Sequence, residues 1–320
     1  MIPYRRLVLL LCCMPLIAGC WDNIEVEERG FVTGIAIDLA NNEENASQTT
    51  SNEQSGKEQK SQQQQQQQPN SKEQQQQKQN ETPLQTDERV LNHQKDEDND
   101  QKENNKLKLT QQLLNPSSLG SQQSGSTDSN SPSFRNLSQI GETIIEMNRD
   151  MVKQAGRSTN VTHLNVVLFS DAVAKKELLF AKLMDIFFRE KEMLRSVKIA
   201  ITKENASDYL SILPENEKLP SKYLSKVLEN KSNLDIAEPL TIGDVQSYLL
   251  TDRSFIIPYI NKVNETTVNY DGLSVYSGSQ KKIVGYLVGD EAKGVNFIQN
   301  RNQTGTINTK VEDKDVTFEI

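Results

Sequence analysis

Between Asn41 and about Asn130 the chain loses nearly all apolar periodicity and runs through Gln, Asn, Ser, Glu and Lys, most densely in "SQQQQQQQPN" and "KEQQQQKQN". Such a segment cannot bury enough apolar surface to offset the entropy of ordering, so residues 41–133 read as a disordered insertion. Just before it, "GFVTGIAIDLA" has the composition of a strand, and patterned sequence resumes near Phe134. The fold must therefore tolerate a long excursion after its first strand. Chain entropy permits this: lengthening a connection from about ten to about ninety residues costs only about 2 kcal/mol. Within the excursion, "KLKLTQQLL" (Lys106 to Leu114) reads as a short, transiently structured patch. An aggregation or interaction tract is the alternative, and charge and Pro interrupt it. "DEDNDQ" (Asp96 to Gln101) has acids at calcium-loop spacing but lacks the Gly at position six and places Leu107 at position twelve, so it reads as a solvated charge run.

Downstream the pattern alternates between periods. "LSQIGETIIEMNRDMVKQAG" carries Ile140, Ile144, Met147 and Met151 at helical spacing, with Ser138 as N-cap and Gly156 as stop. "HLNVVLFS" reads as a short buried strand. "AKKELLFAKLMDIFFRE" reads as a helix with Leu179, Leu183, Ile186 and Phe187 on one face, and "RSVKIAITK" as a second β-branched strand. This is a β-α-β unit with a helix long enough for a parallel crossover. "GFVTGIAIDLA" supplies a third strand of the same sheet, with Phe31 and Gly34 at its centre. Residues 20–40 and 134–212 thus form one interrupted N-terminal domain. "SKYLSKVLEN" and "TIGDVQSYLL", the latter with Thr241 and Asp244 spaced as a capping box, read as a small helical middle region, 213–262. From 263 the period falls to two, and "TTVNYDGLSVYSG", "QKKIVGYLVG", "GTINTKVED" and "DVTFEI" read as the start of a β-rich C-terminal domain, with a turn near Gly278 and Ser279. The expected class is α/β, arranged as an α+β multi-domain chain.

The N-terminus sets the compartment. Arg5 and Arg6 precede "LVLLLCCMPLI", an apolar run of about eleven residues, short of the roughly twenty that span a bilayer. Ile17-Ala18-Gly19-Cys20 then follows the order branched, small, small, Cys, which resembles the lipobox of bacterial lipoproteins. That resemblance implies cleavage between Gly19 and Cys20, removal of residues 1–19 as a signal peptide, and a diacylglyceryl group on the Cys20 sulfur. Cys12 and Cys13 leave with the leader, so no disulfide and no Cys-based zinc site remains within the mature chain, and His93 and His163 are the only imidazoles. Loss of Arg5 and Arg6 deepens the formal charge from −8 to about −10. Nucleic acid and anionic headgroups repel such a surface, so membrane residence would rest on the acyl chains.

No catalytic constellation emerges. A nucleophile needs a base and an orienting group, and His163 stands beside a strand with no Gly-x-Ser-x-Gly elbow, as a core or loop-closing residue. Asp22, Glu25, Glu27 and Glu28 include acids alternating around Val26, a solvated strand face. Gly30, Gly34 and Gly141 make no phosphate-loop spacing with a Lys. Catalytic, metal and cofactor residues are therefore expected to be absent.

"CWDNIEVEERGFVTGIAID" directly after a lipobox, then "THLNVVLFSDAVAKKELLFAKLMDIFFREKEMLRSVKIAITK", then "LSVYSGSQKKIVGYLVGDEAKGV", resembles the C-subunit lipoproteins of spore germinant receptors, the Ger(x)C family. The resemblance covers nearly all of the chain outside the insertion. It implies a three-domain α/β protein without enzymatic activity, tethered through its lipid to the outer face of the inner spore membrane and partnered with membrane A and B subunits. Relative to that family the insertion after Asp38 to Ala40 is long, and "VTFEI" falls where similar proteins continue through most of a third domain. A lipid-anchored solute-binding protein of a transporter, or less readily an envelope hydrolase, is the alternative.

Overall fold

The computed structural model describes residues 29–40, 106–115, 132–230, 238–299, 306–311 and 314–319. The first strand, β1 (Arg29–Leu39), pairs antiparallel with β2 (Leu107–Leu114), which pairs antiparallel with β3 (Phe134–Gly141). Then follow α1 (Ile144–Ala155), β4 (Ser158–Asn160), β5 (Val166–Ser170), α2 (Asp171–Lys175), α3 (Leu179–Arg189) and β6 (Lys198–Thr202). Next come α4 (Ala206–Tyr209), α5 (Pro220–Glu229), α6 (Ile242–Leu250), β7 (Phe255–Lys262), β8 (Val268–Ser277) and β9 (Lys282–Val288). The last described elements are α7 (Asp290–Ile298), β10 (Thr306–Val311) and β11 (Lys314–Glu319). The main sheet runs β3-β2-β1-β5-β6-β7-β8-β9, with β4 beside β1. Its centre, β1-β5-β6-β7, is parallel and both flanks are antiparallel, a mixed α/β sheet as the sequence implies.

Helices cover both faces. On one face Ile35, Ile37, Val167, Phe169, Ile199 and Ile201 pack against α1, α3 and α6. On the other, Ala36, Val166, Leu168, Ala200 and Ile260 pack against α4 and α5. A strand buried from both sides needs apolar residues at every position, which is why "VVLF" is unbroken. The β-α-β unit forms as expected, with β5 and β6 in parallel register from Val166–Lys198 to Ser170–Thr202. Its crossover is two helices, and Phe180 and Met184 are fully buried beside the expected Leu183 and Phe187, while Leu179 and Ile186 are half-buried. The capping box at α6 is present in full: Thr241 Oγ1 accepts from the Asp244 N–H, and Asp244 Oδ2 accepts from the Thr241 N–H at 3.0 Å.

Four expectations change. Within the segment 41–133, "LKLTQQLL" is a strand of the sheet, because Leu107, Leu109 and Leu113 alternate into the core under α1 while Gln112 faces the opposite side. The helix expected from Ser138 starts at Ile144, capped by Thr143 Oγ1, which accepts from the Glu146 N–H at 3.2 Å. Residues Phe134–Gly141 are instead β3; Ile140 and Ile144 have helical spacing only because they straddle a strand-to-helix junction. Gly156 ends the helix in the left-handed conformation (φ 63°), as expected. The helices of 213–262 form no separate region, since α5 and α6 cover opposite faces of the sheet and β7 lies within the same span. Finally, β8 and β9, expected to open a third domain, extend this same sheet through the β7–β8 and β8–β9 ladders. Among the described strands only β10 and β11 stand apart, as a two-stranded pair.

Candidate functional site

Cys20 and Gly19, the residues of the expected cleavage and lipidation site, lie outside the described residues, as do His93, Asp22, Glu25, Glu27, Glu28 and the Asp96 to Gln101 run. His163 is exposed at the foot of β5; its ring meets Phe31 edge-on at 5.1 Å, and its Nδ1 lies 3.0 Å from Thr162 Oγ1. Phe31 is half-buried rather than a core residue of β1. Among the described residues no group of three or more His, Cys, Asp or Glu is placed to hold a metal, and no helix is long and apolar enough to cross a membrane.

The polar chemistry that the fold does assemble lies on β1 and β2. Asp38, 1 % exposed at the C-terminal end of β1, accepts from the N–H groups of Ala206 and Ser207, the first residues of α4. Burial raises its carboxyl above the usual range, while those N–H groups pull it back down. Gln112, wholly buried in β2, accepts at Oε1 from the Ser221 N–H (3.0 Å) in the first turn of α5. Its Nε2 donates to the Leu210 carbonyl at 2.8 Å, which also accepts from Asn136 Nδ2 at 2.9 Å. Tyr209 completes this face: its Oη donates to the Ile260 carbonyl and accepts from the Lys262 N–H, and burial pushes the phenol up to about 12. These groups fix helices to strands.

Two cavities flank the same strands. One, about 350 Å³, opens where β1 begins, between the end of β2, the start of β3 and the end of α1; Gly30, Leu113, Phe134, Arg135 and Arg157 line it. The other, about 290 Å³, lies under α1 and beside the end of α3. Ile35, Ile144 and Phe187 supply apolar wall, and Arg149, Glu190 and Glu192 carry charge at its edge. Gln111 of β2 also lines it; this side chain is 4 % exposed, and its Nε2 donates to Asn148 Oδ1 at 3.0 Å. Thr159 Oγ1 donates to the same Asn148 oxygen at 3.2 Å, and Gln111 Oε1 has no hydrogen-bond partner.

Sequence reading found none of Asp38, Gln111 or Gln112. The one local signal was two adjacent glutamines between leucines in "KLTQQLL", too polar for an isolated amphipathic strand and explicable only once both faces are covered.

The fold is a mixed sheet clad on both faces, in which Asp38, Gln112 and Tyr209 hold helices and strands in place. The profile of the spore germination protein N-terminal domain family matches residues 99–262, from just before β2 to the end of β7, and the chain belongs to that family. Spore germination protein YndF of Bacillus subtilis (strain 168) is 24 % identical over 305 residues, 94 % of this chain and 64 % of its own length. Spore germination protein B3 of the same organism is 28 % identical over 224 residues, 69 % of this chain and 58 % of its own. The crystal structure of the GerBC protein aligns with a TM-score of 0.41 at 21 % identity, covering 67 % of this chain and 58 % of that one. The chain thus spans less than two thirds of the length of these relatives.

Proposed function

We propose that this chain is the lipid-anchored C subunit of a spore germinant receptor. It is held on the outer face of the inner spore membrane by a diacylglyceryl group on Cys20 and acts with membrane A and B subunits in nutrient-triggered germination. It works by assembly rather than by bond chemistry, and it needs no cofactor. The observation that carries the reading is the family match across residues 99–262, downstream of an Ile17-Ala18-Gly19-Cys20 lipobox. The net negative charge of −8 supports the anchor, because a surface of that sign gains nothing from anionic headgroups.

The test has two readouts on one variant. Cys20→Ala should move the chain from the membrane fraction to the soluble fraction, and spores carrying it as their only copy should respond weakly to the nutrient. A variant that stays with membranes after a high-salt wash overturns the anchor. Spores lacking the gene that germinate normally with every nutrient, while sister receptors are also deleted, overturn the receptor role.

A further inference from the structure

The cavity of about 350 Å³ sits where β1 begins, and the ladder beside it determines what a longer β1 would bring into it. Strand β1 starts in parallel register with β4, Arg29 beside Ser158, Gly30 beside Thr159 and Phe31 beside Asn160. One step back along that ladder, Glu28 would fall beside Arg157. Gly30 identifies the face: a Cβ there would stand 3.4 Å from Leu113 Cδ2 and 3.7 Å from Arg157 Cβ, both residues of the cavity wall. Side chains alternate along a strand, so in a β1 extended backward Glu28, Val26 and Ile24 would share the face of Gly30, and Glu27 and Glu25 would take the other. The wall is apolar at Leu113, Phe134 and Ala155 and basic at Arg135 and Arg157. Neither guanidinium has an ion-pair partner among the described residues.

We propose that this cavity is the docking site of the chain's own residues 24–28, which continue β1, with Glu28 on Arg157 and Ile24 and Val26 against Leu113, Phe134 and Ala155. The alternation of the segment matches the cavity: apolar side chains and one acid on the inward face, and two acids, Glu25 and Glu27, on the outward face. Covalent attachment at Arg29 holds the segment beside the cavity at high effective concentration, so weak contacts suffice. The consequence for the membrane rests on the Cys20 anchor. With Arg29 as the first held residue, the nine steps from Cys20 let the sheet stand about 30 Å from the acylated sulfur. With Ile24 held, four steps remain and the distance falls to about 13 Å. The docked segment thus makes the leash a short stalk and turns the end of the sheet where β1 begins toward the bilayer.

The experiment is hydrogen exchange on the full chain carrying Cys20→Ala, which has no lipid, resolved to the amides of residues 24–28. Those amides should exchange about ten-fold or more slowly than in an unstructured chain. Arg157 is exposed, so Arg157→Glu leaves the core untouched, and unchanged protection at Val167 confirms the fold. Arg157→Glu or Glu28→Arg should each remove the protection of 24–28, and the two together should restore it, because the double variant rebuilds the pair with its charges exchanged. Glu27→Arg, on the outward face, should leave it intact. Exchange of 24–28 at the unstructured rate in the parent chain, no restoration in the double variant, or equal loss with Glu27→Arg would overturn the docking. A headgroup is the rival occupant: binding of the Cys20→Ala chain to phosphatidylglycerol vesicles that Arg157→Glu abolishes would overturn it as well. Because these readouts use chain without lipid, their failure leaves the Cys20 anchor standing, and a Cys20→Ala chain that stays with membranes overturns the anchor without touching the docking.

Discussion

Asp38 reaches across 168 residues of sequence to the start of α4, accepting from the Ala206 N–H at 2.6 Å, and it accepts from the Ser207 N–H at 3.0 Å. Neither α4 nor α5 has a side-chain cap of its own, and the residues at their N-cap positions are Asn205 and Leu219. The sheet supplies what the helices lack: Asp38 serves α4, and Gln112 serves α5 through the Ser221 N–H. First-turn N–H groups have no intrahelical partner, so a buried helix start needs such an acceptor. Removing it with Asp38→Ala leaves two buried donors unmade and should destabilise the fold by about 2–4 kcal/mol in urea melts.

The same residue gives a pH signature. Burial raises the Asp38 carboxyl in the fold, and the N–H bonds only partly offset this. A carboxyl raised on folding contributes most below its unfolded value of about 3.9, and that contribution is lost as pH rises through the folded value. The stability of the wild type relative to Asp38→Asn should therefore decline as pH rises above about 4. A margin that grows over that range would mean the two N–H bonds outweigh burial.

The insertion and the strand inside it separate cleanly by deletion. The Ala40 N–H donates to the Lys106 carbonyl at 3.0 Å, so the two ends of the 41–105 connection are already joined at the base of the β1–β2 ladder. Deleting 43–104 should preserve the fold and, by shortening a loop through about four doublings, add up to about 2 kcal/mol. Deleting 43–123 also removes β2, which lies between β1 and β3 and carries Gln112, and should abolish cooperative unfolding. If both deletions melt alike, β2 contributes nothing to the sheet.

Gly34 and Phe31 share a strand and should respond differently. A Cβ on Gly34 would stand 2.7 Å from Leu210 Cδ2 and 2.9 Å from Ser221 Cβ, so Gly34→Val forces α5 and the end of α4 off the sheet, at about 1–3 kcal/mol or more. Phe31 is half-buried and meets an exposed imidazole, so Phe31→Ala should cost well under the roughly 3–5 kcal/mol of a core phenylalanine. Chemical denaturation of both variants decides the order, and a larger loss for Phe31→Ala would contradict the packing described.

How much of this was legible in the sequence depended on how far apart the partners lie. The β5–β6 unit, the stop at Gly156 and the Thr241–Asp244 box are local, and the residues announce them. Strand β2 is not legible in the sequence because its flanks are low-complexity and its Gln111 and Gln112 break the apolar alternation. Their burial makes sense only once Asn148 stands over one and Ser221 over the other. The Ser138–Gly141 end of β3 has helical spacing only because one apolar spacing runs through a junction. The cavity under α1 draws on β1, β2, α1 and the end of α3, so no spacing within one segment could reveal it.

The C-terminal strands should divide into two classes by hydrogen exchange. Strand β8 is paired on both sides, by β7 and β9, and Leu273 and Tyr276 are fully buried, with Tyr276 packed between Phe180 and Phe255 at 5.4 and 4.8 Å. Its amides belong to the sheet that carries β5, so those of Leu273 to Tyr276 should exchange on the timescale of Val167 and Leu168, set by global unfolding. Strands β10 and β11 pair only with each other among the described strands, and Phe318 is 53 % exposed. An isolated two-stranded hairpin is marginal in water. Amides of Thr306–Val311 and Lys314–Glu319 should therefore exchange orders of magnitude faster, and limited proteolysis should cut there first. Equal protection of Thr317 and Leu273 in a monomeric sample would show that the hairpin packs on the main sheet, and rapid exchange at Leu273 would show that β8 does not belong to it.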